Sequence, residues 1–263
     1  MHFAEAIFLG LLQGLTEFLP VSSSGHLAIA QHFLPNFQQP GVLFDVLLHV
    51  GTMVAVIIYF RRELVRLLTS PWRKDENTAV DRRILLLIIL GSIPTGIIGL
   101  LFKDFFEGLF SNLPVVASML LVTGTLLFLS ERLRRHGRKE DQMTWSDALV
   151  TGTVQGMAII PGISRSGSTI ATLLMKGVDG ETAARFSFLL ALPAVFGAAL
   201  LSLKDLHAVS SGDLPAYIAG TAAALLIGLV SIHFLMGVIR RRRLVWFAGY
   251  CWLAGGLLLL ITL

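Results

Sequence analysis

At 263 residues the chain is 54% hydrophobic and only 14% charged, where soluble domains average about 25% charged. That composition excludes an ordinary soluble enzyme and reads as an integral membrane protein. The net charge of +4 does not point to nucleic acid, because the basic residues flank apolar stretches, and the single Cys251 excludes an intramolecular disulfide.

In chain order, residues 3–34 form an apolar stretch interrupted by a Pro, Gly and Ser cluster and carrying Glu17. No Lys or Arg precedes Arg61, so the positive region of a cleaved leader is missing and no cleavage is expected. Residues 44–60, 84–102 and 113–130 each read as a spanning helix, for which about 20 apolar residues suffice. Residues 147–175 repeat the interrupted pattern, now around Arg165, and 186–203, 216–239 and 244–262 read as three further spans. Broken backbone at membrane depth is tolerated only where protein or a wet cavity covers it, so both interrupted stretches are expected to be re-entrant helical hairpins.

Charge placement orients this arrangement, since Lys and Arg accumulate in cytoplasmic loops. The loop 61–83 holds seven of them, 131–147 holds five, and Arg240 to Arg243 form a basic corner, whereas 103–112 and 204–215 hold only Lys103 and Lys204. The six spans alternate in agreement with this bias only if 147–175 enters and leaves on the cytoplasmic side and 3–34 dips in from the outer face. Both termini then lie on the outer face of the membrane.

The two interrupted stretches also match at an offset of 142 residues. Gln13-Gly14 aligns with Gln155-Gly156, Ser22 and Ser24 with Ser164 and Ser166, and Gly25 with Gly167, while Pro20 falls one residue from the counterpart of Pro161. Downstream, Phe44, Leu47 and Leu48 align with Phe186, Leu189 and Leu190. The expected fold is therefore an all-α polytopic membrane protein of a single domain, 1–263, with an inverted-topology repeat. Each half, about 1–130 and about 147–263, holds one re-entrant hairpin and three transmembrane helices, joined by a cytoplasmic loop 131–146. Such repeats place binding sites at the midplane, between their broken helices.

Two constellations carry the candidate chemistry. In the first, Gln13 to His26, Gln13 and Glu17 share a helix face, Pro20 ends that helix, and Ser22 to Ser24 can cap the next. Serines beside Pro and Gly often only satisfy backbone at a helix break, but a carboxylate at membrane depth costs roughly 2.5 kcal/mol or more and is functional by default. In the second, Pro161 to Thr169, small residues leave backbone N–H groups open at a helix start and Arg165 adds a planar fork, together an anion cradle. It lacks the ending of a Walker loop, so nucleotide hydrolysis is not indicated. Arg165 has a second reading, as a partner that pairs with Glu17 and locks the hairpins together. His32, His49, His207 and His233 have no carboxylate or Cys at metal-site spacing and are read as structural or interfacial, and Asp45 is left undecided.

These residues resemble the undecaprenyl-diphosphate phosphatases associated with bacitracin resistance. The family's first motif, Glu or Gln, three residues, Glu, then Phe-Leu-Pro-Val-Ser-Ser-(Thr/Ser)-Gly-His, is matched from Gln13 to His26, and its Pro-Gly-x-Ser-Arg-Ser-x-x-Thr motif from Pro161 to Thr169. The resemblance implies removal of the terminal phosphate from undecaprenyl diphosphate, giving the monophosphate carrier used for cell-wall precursors. Gln13 departs from members with Glu there, which removes a charged metal ligand at that position.

Resemblance and spacing together give Ser23, His26 and Glu17 as catalytic residues, with Ser23 as nucleophile and His26 and Glu17 handling its proton or orienting each other. His26 as nucleophile and direct attack by water are the rival assignments. Substrate contacts are assigned to Arg165, Ser164, Ser166, Gly162, Thr169, Ser22, Ser24 and Gln13. A divalent cation, Mg²⁺ or Ca²⁺, is expected to bind Glu17 and phosphate oxygens as a complex with substrate. The partners are the bilayer and the polyprenyl diphosphate lipid, with the oligomeric state left open. The alternative from a different class is a polyprenyl-phosphate transporter or flippase, because inverted repeats with broken helices also build transporters.

Overall fold

The computed structural model describes residues 2–34, 39, 42–75, 78–133, 137–203, 207, 209–210, 212–241 and 243–262. Arg134, Arg135, Lys204 and Arg242, counted among the loop charges above, lie outside the described residues.

The described residues form twelve α-helices. Two pairs of short helices, α1 (Phe3–Thr16) with α2 (Ser23–His32) and α8 (Trp145–Met157) with α9 (Arg165–Met175), occupy the interrupted stretches. The expected spans appear as α3 (Leu43–Tyr59), α5 (Thr78–Leu101), α7 (Leu113–Leu133), α10 (Gly180–Ser202), α11 (Leu214–Arg240) and α12 (Val245–Thr262). Five of these are long and apolar enough to cross a membrane, and α3 becomes a sixth if counted with the helix it bends into by 78°. Two expected loops carry short helices, α4 (Arg61–Thr69) and α6 (Lys103–Leu109). Helix α10 starts six residues before the predicted 186 because Asp179 caps it, accepting from the N–H groups of Glu181 and Thr182. The protein is a polytopic, all-helical membrane protein. Large apolar side chains such as Leu86, Val230 and Leu260 lie exposed on its outer surface, as lipid-facing residues do.

Small residues bring the short helices against the long ones. Helix α1 packs on α11 and α8 on α5. At the two crossings Gly10 and Gly152 sit so tightly that an added Cβ would lie 2.1 Å from the Gly220 carbonyl oxygen and 1.9 Å from that of Gly91. These glycines are equivalent in the repeat alignment, so the same close backbone approach serves both short helices.

One end of the bundle is tied by ions. Arg66 pairs with Asp81 at 2.9 Å and Glu140 at 3.2 Å, Arg185 with Glu140 at 3.0 Å and Glu63 at 3.5 Å, and Arg240 with Glu181 at 3.2 Å. The basic segments expected on one side thus share an end. The strand-like stretches flanking α8 and α9 lie side by side, with the Arg138 N–H donating to the Gly177 carbonyl at 2.7 Å and the Asp179 N–H to that of Arg138 at 2.8 Å. Entry to α8 and exit from α9 are therefore at the same end of the molecule.

Candidate active site

Helix α1 stops because Pro20 has no N–H to continue it, and the chain reverses through Ser22, the only non-glycine described residue with positive φ, at 70°. Such a conformation costs of order 1–3 kcal/mol and persists only where surroundings enforce it. The Ser22 hydroxyl caps α2, accepting from the Gly25 N–H at 3.2 Å. In the second hairpin Ser164 caps α9 in the same way, accepting from the Gly167 N–H at 3.0 Å. The residue after each cap is the first of its helix: Ser23 in one case, Arg165 in the other.

Both first residues reach Glu17, which follows the last turn of α1 and keeps only 6% of its side chain exposed. The Ser23 hydroxyl donates to Glu17 Oε2 at 2.5 Å, and Arg165 Nη2 donates to Oε1. One helical turn back, Gln13 Nε2 donates to Oε2 at 3.0 Å, as the shared helix face predicted. From α3, His49 Nε2 lies 3.4 Å from the same oxygen. The helix N-termini of α2 and α9 add partial positive charge beside the guanidinium. Two polar atoms here have no protein partner although buried, Arg165 Nη1 and Gln13 Oε1. The group opens on a small pocket, polar at Glu17, His49, Thr52 and Arg165 and otherwise walled by Phe18, Met53, Val56, Ala191, Leu192 and Val195. A hydroxyl held by a carboxylate, with an arginine fork alongside, is equipped to receive a phosphate group and attack it.

Residues 6–257 match the family described as Bacitracin resistance protein BacA. The chain belongs to this family. A protein of Syntrophotalea carbinolica named undecaprenyl-diphosphatase is 63% identical over 262 residues, covering 100% of both chains. Proteins of the same name from Halothermothrix orenii and Desulforapulum autotrophicum are 45% and 43% identical, covering 100% and 97% of this chain and 99% and 96% of the relatives.

Within this bacitracin-resistance family member, several residues assigned to substrate are engaged in joining the hairpin tips. The Gly162 N–H donates to Ser22 Oγ at 3.1 Å, and that hydroxyl lies 3.3 Å from both the Ile163 carbonyl and Ser24 Oγ. Gly162 takes a φ of 96°, and an added Cβ would stand 2.3 Å from the Val116 carbonyl. Ser164 caps α9, Ser166 Oγ lies 3.4 Å from the Leu19 carbonyl, and Thr169 pairs with the Arg165 carbonyl at 2.7 Å and Ser187 at 2.6 Å. The expected open N–H groups are also partly consumed, since the Ser164 N–H donates to Thr123 Oγ1 at 2.9 Å. The cradle is thus narrower than the sequence motif implied, with Arg165 Nη1 left as a donor without a protein partner. The pairing of Arg165 with Glu17, the second reading of that arginine, is present.

Two histidines differ from expectation. His26 has both ring nitrogens engaged away from Ser23 and Glu17: its Nδ1 lies 2.7 Å from the Ser22 carbonyl and its Nε2 2.6 Å from the Tyr250 hydroxyl, which turns the ring toward α12. His49 is not merely interfacial, because α3 delivers it to Glu17 from 32 positions along the chain, a distance that a search for local ligand spacing does not span. Its Nδ1–H donates to the Asp45 carbonyl at 2.7 Å, which aims Nε2 into the pocket. Asp45, undecided from sequence, is held by Gln31 at 2.5 Å and Gln39 at 3.0 Å and does not enter the group around Glu17. Among the described residues, no three His, Cys, Asp or Glu side chains gather into a cage for a metal ion.

Proposed function

We propose that the protein is a membrane phosphatase that hydrolyses undecaprenyl diphosphate to undecaprenyl phosphate and inorganic phosphate, returning the lipid carrier to cell-wall synthesis. The observation that carries this is the convergence of Ser23 and Arg165, each the first residue of its helix, on the two oxygens of Glu17. The matched family and the names of its relatives supply the substrate.

In this reading the terminal phosphate enters beside Arg165, whose unpartnered Nη1 offers a donor without disturbing Glu17. Ser23 Oγ attacks the terminal phosphorus and its proton passes to Glu17 Oε2. The bond from phosphorus to the bridging oxygen breaks, and undecaprenyl phosphate leaves. Water then cleaves the phosphoserine, restoring the hydroxyl and releasing inorganic phosphate. Charge spreads over the equatorial oxygens during transfer, so the arginine and the two helix N-termini contribute more in the transition state than in the ground state. The prenyl chain stays in the bilayer, beyond the apolar wall of the pocket.

The donor set suits Mg²⁺ or Ca²⁺ brought in with the diphosphate, since Glu17 and the unpartnered Gln13 Oε1 are hard oxygens close together. Such an ion, when bound, neutralises charge on the phosphate oxygens.

The finer architecture belongs to the same proposal: one domain, 1–263, of two inverted halves, with the re-entrant hairpins α1–α2 and α8–α9 meeting in the middle. The matched caps at Ser22 and Ser164, the equivalent Gly10 and Gly152 crossings, and the adjoining entry and exit of the α8–α9 pair support it. The joined basic segments support a cytoplasmic face at that end, hence termini at the outer face of the inner membrane.

The test is phosphate release from a polyprenyl diphosphate by the purified protein in detergent, compared with Ser23→Ala, each with and without chelator. Turnover by the wild type, lost in Ser23→Ala and reduced by chelator, is expected. Full activity in Ser23→Ala would remove the nucleophile assignment, and no phosphate release by the wild type would leave the transporter reading in its place.

A further inference from the structure

The break between α1 and α2 is held from outside the hairpins by two consecutive residues of α12. Cys251, fully buried, has its Sγ 3.6 Å from the Pro20 carbonyl. Tyr250 places its hydroxyl 2.6 Å from His26 Nε2, with the two rings stacked at 5.7 Å between centroids and 12° between planes. Tyrosine and histidine here are 224 positions apart, and no motif joins them.

The hydrogen-bond directions in this contact are fixed by chemistry. The Ser22 carbonyl can only accept, so His26 Nδ1 carries the proton of the 2.7 Å bond between them. In the neutral ring Nε2 is then the acceptor, and the tyrosine hydroxyl is the donor. The imidazole is tied at both nitrogens, one to the turn and one to α12. Through the first of these bonds it grips Ser22, the residue with φ of 70° whose carbonyl also accepts from the His26 N–H at 3.1 Å. Ser23 follows directly, so the backbone at Ser22 sets where its hydroxyl stands relative to Glu17.

We propose that Tyr250 is a positioning residue of the reaction: by donating to His26 Nε2 it fixes the imidazole that holds the Ser22 turn, and so keeps Ser23 on Glu17. This rests on the reading of Ser23 and Glu17 as the reacting group. It also gives His26 a use consistent with both of its ring nitrogens being bonded elsewhere: the histidine acts on the turn, and the tyrosine acts on the histidine. Tyr250→Phe keeps the ring stack and removes only the donor, which isolates the hydroxyl.

The experiment uses the full-length protein in detergent, with phosphate release from a polyprenyl diphosphate as the rate and ¹⁵N spectra of ring-labelled histidine as the structural signature. Tyr250→Phe is expected to lower kcat about tenfold with KM nearly unchanged, because small displacements of a reacting group cost one to two powers of ten. The Nε2 resonance of His26 is expected to move toward that of a ring without a donor, while Nδ1 stays protonated. Wild-type kcat in Tyr250→Phe, or a lowered kcat with the His26 signals unmoved, would overturn the proposal. Ser23→Ala run alongside separates the layers: if it is inactive while Tyr250→Phe is normal, only the positioning role falls. If Ser23→Ala turns over normally, the reaction reading falls and the positioning role with it.

Discussion

In the first hairpin the residue after the capping serine is a hydroxyl, Ser23, and in the second it is a guanidinium, Arg165; the preceding segments carry Gln13 and Glu17 in one case and Gln155 and Ile159 in the other. The frames otherwise agree, with a serine cap, a glycine three residues on, and a glycine crossing against a long helix. The polar chemistry of the first is concentrated on Glu17, while Gln155 in the second is spent on Thr95 at 3.3 Å and on the Leu190 carbonyl at 3.1 Å. Two helix N-termini with matched caps thus differ at their first residue, and in the proposed reaction that difference makes one of them the attacking end and the other the charge-binding end.

The comparison is broken most severely by removing the guanidinium. Arg165→Ala is expected to lower kcat by about 10³-fold, the order seen where an arginine neutralises a transferring phosphoryl group. The same change leaves Glu17 buried without its arginine partner, so a fall in melting temperature should accompany the loss in a thermal unfolding scan. An Arg165→Ala enzyme with normal turnover would mean that the second hairpin is only a prop.

A smaller effect is expected at His49, which belongs to neither hairpin and meets Glu17 from α3. His49→Leu should reduce kcat/KM about tenfold, the order expected when one contact that orients a reacting group is lost. Steady-state kinetics of phosphate release would read this, and an unchanged value would confine the reacting group to the two hairpins.

The smallest effect concerns the frame alone. Thr123 on α7 donates to the Gly162 carbonyl at 2.9 Å and accepts from the Ser164 N–H, anchoring the second tip as α12 anchors the first. Thr123→Val leaves both buried backbone groups unpaired, at a cost of about 1–3 kcal/mol each. A lower melting temperature with KM little altered is the expected outcome, and a matching fall in kcat would show that the anchor also sets the position of Arg165.

Much of this arrangement was legible in the sequence. Long apolar runs gave α7, α10, α11 and α12, and the Pro and Ser clusters located both breaks, because helix termination and capping are local physics. The meeting of Glu17 with Arg165 was legible too, since opposite charges at membrane depth find one another. The orientation of side chains at the site was not. His26 sits three residues after Ser23, near enough in sequence to look like its base, but the backbone carbonyl of Ser22 and a tyrosine on a distant helix turn it away. Ser164, Ser166 and Thr169 looked like an open cradle, and packing between the tips closes most of it. Partners brought from other helices carry no spacing signal, which is why His49 and Tyr250 were invisible until the helices were assembled.

The central claim is that Glu17 and Arg165 act as one unit on one diphosphate, and a double-mutant cycle measures it directly. Initial rates of phosphate release would be determined for Glu17→Gln, Arg165→Ala and the double variant, all in the same detergent. Groups that work as a unit are strongly non-additive, so the double variant is predicted to be scarcely slower than the worse single one. Losses that simply multiply would show two independent contributions and contradict the account.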